Sequence, residues 1–103
     1  MLDWFKNQQK VLDAEYKISD NNDLLKFENI CIAELRVLCD DIVFDIENKK
    51  EERIEKYKKM QMDYYAIEEA LGNKNFTFQM AYIREKHEYI RRAIYTLEEA
   101  CGL

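Results

Sequence analysis

Residues that form tight turns are almost missing from this chain of 103 residues, which has no proline and only two glycines, Gly72 and Gly102. A β-sandwich or β-barrel of this length needs many turns, and those turns depend on glycine and proline. The apolar fraction, 48%, is high enough to supply a hydrophobic core, so we expect an ordered chain. We therefore predict a single all-α domain over residues 1–103.

Apolar residues recur at helical spacing in three segments, which predict helices over residues 3–18, 24–71 and 76–100. Clusters of turn-forming residues separate them at positions 19–23 and 72–75. The third segment contains a heptad seam typical of a coiled coil, formed by Met80, Ile83, His87, Ile90, Ile94, Leu97 and Cys101. We predict an antiparallel hairpin of a long second helix with the third, and an N-terminal helix packed on the first half of the second.

The apolar stripes of these helices also predict which residues of two paired helices lie opposite each other, at the same level along the helix axes. If the turn near position 73 is the centre of the hairpin, His87 lies opposite Met60, with Asp63 beside it. By the same geometry the first helix places Trp4 opposite Cys39. Both pairings follow from equal rise along two antiparallel helices.

The charged stretch 47–53 leaves two architectures open for the long second helix. A continuous helix would be about 70 Å long, and we prefer it because no strong helix breaker occurs in this stretch. A break near Asn48 would instead give a compact four-helix bundle, which would bury the apolar residues of the first half within the chain. The continuous helix needs a second copy to cover them, so we expect a homodimer through Ile30, Val37, Val43 and Phe44.

No motif for catalysis, a metal or a cofactor is found in the sequence. The single histidine, His87, is preceded three residues earlier by Arg84, which excludes the Glu-x-x-His motif of di-iron bundles. Cys31 and Cys39 lie about 12 Å apart along one helix, too far for a disulfide, and reduced thiols are typical of the cytosol. With neither a signal sequence nor an apolar run of about 20 residues, we expect a cytoplasmic, non-enzymatic protein without cofactors and away from membranes.

The charges are unevenly distributed, and the net charge is −5. The second helix carries a candidate partner-binding acidic patch, Asp40, Asp41, Asp45 and Glu47. The third carries a candidate basic cluster, Arg84, Lys86, Arg91 and Arg92. These features favour a helical adaptor, assembly factor or inhibitor, including an acidic mimic that blocks a basic site on a protein partner. The alternative is a nucleic-acid-binding accessory protein that uses the basic cluster, although the acidic net charge makes nucleic acid a less suitable partner.

Overall fold

The computed structural model describes residues 2–18, 23–72 and 77–103, with side chains for 2–16, 28–72 and 79–103. These residues form four α-helices, α1 (Leu2–Ile18), α2 (Asp23–Glu47), α3 (Arg53–Gly72) and α4 (Thr77–Ala100). No strand occurs in the described ranges, so the prediction of an all-α fold is confirmed. The predicted turns fall largely on positions 19–22 and 73–76, outside the described residues. Two compact units are present, Met1–Glu47 and Asn48–Leu103.

The predicted continuous second helix is wrong, and the alternative break near Asn48 is confirmed. Helix α2 ends at Glu47, and Lys49 adopts a left-handed backbone conformation with φ 49°. The N–H groups of Arg53 and Ile54 then donate to the carbonyl oxygens of residues 50 and 51, at 2.9 and 3.1 Å, where α3 begins. Residues 47–53 are all polar. A helix through them would bury no apolar face, and burial supplies most of a helix's stability.

In the first unit, α1 packs on α2, and the contacts of Phe5 with Cys39 and of Asp13 with Arg36 show that the two helices are antiparallel, as predicted. The Sγ–H group of Cys39 donates to the carbonyl oxygen of Phe5 at 3.2 Å, one residue from the predicted pairing of Cys39 with Trp4. The buried apolar side chains of this unit are Phe5, Leu12, Cys31, Leu35, Cys39, Ile42, Val43 and Ile46. The N-terminal helix therefore lies where the stripe pattern placed it.

In the second unit, α3 packs against α4. Its buried apolar side chains are Ile54, Tyr57, Tyr89, Ile90, Ala93, Ile94 and Leu97. The contacts of His87 with Glu68 and Tyr65 lie further along α3 than Met60 and Asp63, the residues that the pairing predicted for it. Helical side chains lean towards the N-terminus of their own helix. In an antiparallel pair they lean in opposite directions, so His87 meets side chains further along α3 than equal rise predicts.

The end of α4 is closed by a Schellman motif centred on Gly102. The N–H of Gly102 donates to the carbonyl oxygen of Glu99 at 3.1 Å, and the N–H of Leu103 donates to that of Glu98 at 2.9 Å. The motif requires a left-handed residue at this position, and Gly102 has φ 76°. Glycine adopts this conformation without the steric cost that a Cβ atom would bring.

Across the described residues, every helix is too short or too polar to cross a bilayer.

Candidate functional site

A row of large apolar side chains is exposed along one face of α2. Ile30 is 56% exposed, Val37 61% and Phe44 58%. Because they are seven residues apart, or two helical turns, they lie on one face and extend over about 21 Å. We call Ile30, Val37 and Phe44 the α2 stripe. Val43, the fourth residue of the predicted interface, is only 8% exposed and lies outside it.

The stripe is exposed because α2 has more apolar surface than α1 covers within the first unit. Five buried residues of α2 occupy the opposite face: Cys31, Leu35, Cys39, Ile42 and Ile46. Within the first unit, α1 does not cover this second face of α2, and all three residues of the α2 stripe are more than half exposed. The apolar surface that suggested an interface is therefore present, although the helix is not continuous.

Acidic side chains border the α2 stripe on both edges. An α-helix turns by about 100° per residue, so Glu34 and Asp41 lie along one edge, while Asp40 and Glu47 lie along the other. All four are exposed. Asp45, which the sequence placed in the same patch, is only 5% exposed. The accessible part of the predicted acidic patch thus consists of Asp40, Asp41 and Glu47.

Glu34 was not among the predicted site residues, although the sequence contained a usable signal for it. It precedes Val37 by three residues, and residues three apart are neighbours on a helix surface. The same spacing rule, applied to each residue of the stripe, finds the acids on both edges. The predicted patch contained only acids of the run from Asp40 to Glu47, and Glu34 stands apart from that run.

Arg36 connects one edge of the stripe to α1. Its Nε donates to Oδ1 of Asp13 at 2.9 Å, and its Nη1 donates to Oδ1 of Asp40. Gln9 Nε2 donates to the same oxygen of Asp40 at 2.8 Å. The hydrogen bond to Asp13 is the main cause that raises the pKa of Arg36, so the guanidinium stays charged. Asp40 therefore helps to hold α1 on α2, whereas Asp41 has no such role in the described contacts.

The predicted basic cluster lies on α4, and most of its charges are already engaged. Arg91 donates to both oxygens of Glu88 at 2.6 and 3.1 Å, and Arg92 donates to one of them at 2.6 Å. Hydrogen bonds from Arg91 and then Arg92 lower the pKa of Glu88. Lys86 Nζ lies 4.4 Å from the centre of the Tyr82 ring, and the fourth cation, Arg84, is exposed. The cluster does not offer a row of four unengaged cations.

His87 packs between α3 and α4. Its Nδ1 lies 3.1 Å from Oε1 of Glu68, and the ring of Tyr65 meets it edge to face at 4.3 Å between centroids. Nε2 is buried and has no hydrogen-bond partner among the described residues. In the tautomer that donates Nδ1–H to Glu68, Nε2 is a hydrogen-bond acceptor. Among the described side chains, no three His, Cys, Asp or Glu residues are grouped to hold a metal ion.

The described structure thus defines an all-α protein made of two helical pairs, one of which carries an exposed apolar stripe with acidic edges. The chain matches no protein-family model, no curated protein and no solved structure.

Proposed function

We propose that this chain is a cytoplasmic, non-enzymatic protein–protein interaction module that works as a helical adaptor, assembly factor or inhibitor. The observation that carries the proposal is the α2 stripe, three large apolar side chains exposed on one helix face. A contiguous exposed apolar patch is typical of an interaction site. Anchor residues at regular helical spacing are the usual form of recognition between a helix and a partner groove or helix.

The charges around the stripe favour a partner with a basic surface. Glu34, Asp41 and Glu47 are exposed beside it, and the last turn of α2 contains no basic residue. The C-terminal end of a helix carries a partial negative charge of its own, which adds to these carboxylates. A negative potential of this kind speeds encounter with a cationic surface. If that surface is the basic groove of another protein, the module acts as an acidic mimic that blocks it.

A second copy of the chain is the other protein that could cover the α2 stripe. The expected homodimer is tested by light scattering at micromolar concentration, comparing the native chain with Val37→Asp. Val37 is more than half exposed, so the substitution places a charge in the stripe without disturbing the core. A dimer that becomes a monomer in the variant supports self-association through the stripe. If the native chain is a monomer, a different protein with a basic surface remains as the candidate that covers the stripe.

The proposed function itself is tested by photo-crosslinking in the native host. A photoreactive phenylalanine derivative is placed at Val37, in the stripe, and in a matched strain at Met62, an exposed residue of α3 that is 69% accessible. We expect a discrete protein adduct from position 37 that is absent from position 62. Equal labelling at both positions, or none at either, contradicts the proposal.

Nucleic-acid binding through the basic cluster is the alternative, and the geometry supports it less. Arg91 and Arg92 share the carboxylate of Glu88, so their charges are partly compensated within α4. Binding to nucleic acid depends on cations that neutralise phosphates and is strongly salt-dependent. We therefore expect no salt-dependent binding of labelled DNA or RNA by the whole chain. Such binding, lost in an Arg91→Ala/Arg92→Ala variant, would favour the alternative.

A further inference from the structure

We infer that the partner element that covers the α2 stripe is a cationic amphipathic α-helix of another protein. It would carry apolar residues at heptad spacing with lysine or arginine on both edges. The inference rests on the proposed function and specifies the chemistry of the partner. Three properties of the described residues support it: the size of the stripe, the sign of its edges and the spacing of its apolar side chains.

The size of the stripe argues against a second copy as its main occupant. It is about 21 Å long, and a helix with side chains is about 10 Å wide, which gives roughly 210 Å² per partner. Stable interfaces bury about 800 Å² on each side. Contacts of the stripe alone would therefore give weak self-association. A different partner can add attractive charge contacts along the edges, which a second copy cannot.

The negative charge along both edges of the stripe also opposes the pairing of two copies. Two copies of α2 packed antiparallel about Val37 would bring like edges together and place Glu34 of one copy near Asp41 of the other. Packed parallel, they would bring unlike edges together and place Asp41 of one copy near Asp40 of the other. Arg36 does not reverse this repulsion, because it forms ion pairs with both Asp13 and Asp40. These three side chains together keep a net negative charge. Like charges facing each other across an interface suppress the pairing, whereas lysine or arginine at the same positions would attract.

The spacing of the stripe indicates that the partner element is a helix. The apolar side chains repeat every seven residues, the period at which two helices meet side by side. Their separation along the axis is about 10.5 Å. An extended strand rises about 3.3 Å per residue, so its residues at that spacing are three apart and point to opposite faces. A helix therefore presents contacts to all three side chains, and a strand does not.

The test uses the whole chain and a synthetic helical peptide of about three heptads, with leucine on the apolar face and lysine on both edges. Two control peptides are used, one with glutamate in place of lysine and one with the same composition in scrambled order. Fluorescence anisotropy of the labelled peptides measures binding at ionic strengths of about 0.01 M and about 0.15 M. We expect the cationic amphipathic peptide to bind, more tightly at low salt, and neither control to bind.

Two variants of the chain then show whether the peptide lies on the stripe. Val37→Asp should weaken binding at least about tenfold, because it removes the central apolar contact. Glu34→Lys/Asp41→Lys should do the same and flatten the salt dependence. The matched control is Asp63→Lys/Glu69→Lys, which reverses two exposed acids of α3 and should leave the affinity within about twofold. Circular dichroism confirms that each variant is folded, and Ile30→Ser replaces Val37→Asp if that variant is not.

The outcomes separate this inference from the proposed function. Peptide binding that is weakened equally by the α3 control is nonspecific charge attraction and overturns the inference. No peptide binding, together with a protein adduct at position 37 in the host, overturns the inference but leaves the proposed function standing. A dimer that Val37→Asp dissociates shows that a second copy is the occupant, which also overturns it. No peptide binding and no adduct overturn both.

Discussion

Lys49 provides a test of the break between α2 and α3, because the effect of Lys49→Gly has opposite signs with and without the break. The left-handed conformation observed here, φ 49°, costs a residue with a side chain about 1 kcal/mol or more. Glycine avoids that cost but loses about 0.5 kcal/mol through its greater backbone freedom in the unfolded chain. The expected net stabilisation is about 0.5 kcal/mol, or roughly 2–4 °C in Tm. In a continuous helix, glycine at this position would destabilise by about 0.7 kcal/mol.

Urea denaturation and a thermal melt followed by circular dichroism measure the change. Lys50→Gly is the matched control, because it replaces the same residue type in the same turn at a position without a positive φ. It should be neutral or destabilising by about 0.5 kcal/mol. A Lys49→Gly variant that loses stability as much as Lys50→Gly, or more, refutes the left-handed turn and with it the break.

Three further predictions concern the core, the end of α4 and the thiols. Ile90 is 0% exposed, so Ile90→Asp should cost several kcal/mol through an unpaired buried charge; a melt like that of the native chain would show that the α3–α4 core is assigned wrongly. Gly102→Ala should cost about 1 kcal/mol in urea denaturation because of its positive φ, and an unchanged midpoint would contradict the Schellman motif. Burial raises the pKa of the Cys39 thiol to about 11, so at about pH 8 a disulfide reagent should modify Cys101 first and Cys39 only on unfolding; equal rates for the two would reject this packing of Cys39.

The helices and the pairing of α1 with α2 could be predicted because their apolar residues keep a helical period and face one partner. The break near Asn48 could not, since lysine and glutamate are good helix formers and local propensity favours continuation. What ends α2 is the lack of any apolar residue from 47 to 53, which matters only when burial is considered. The contacts of His87 were mispredicted for a different reason. Equal rise gives the positions of the Cα atoms along the helix axis, whereas the side chains tilt towards the N-terminus of their helix and make contacts at a different position.

The candidate site was predicted in part from the same stripe pattern. Ile30, Val37 and Phe44 are exposed together as expected, because their spacing of seven residues fixes one face whatever the partner. Val43 and Asp45 each differ by one residue from Phe44, which rotates them by about 100° in opposite directions along the helix surface. Both are buried. A sequence shows which residues share a face, but which face remains exposed depends on the complete packing.

The acidic edges of the α2 stripe have a colloidal consequence that is separate from recognition. An exposed apolar row invites aggregation, and charged residues beside it act as gatekeepers that keep copies of the chain apart. At physiological ionic strength, salt screens the interaction of exposed charges that are more than about 8 Å apart. Added salt therefore removes this protection and would also weaken the binding of a cationic partner. If the proposed cationic helix is the partner, copies of the chain should come together as ionic strength rises, under the same conditions that release that helix. The same few carboxylates would then set both the solubility of the chain and its affinity for the helix.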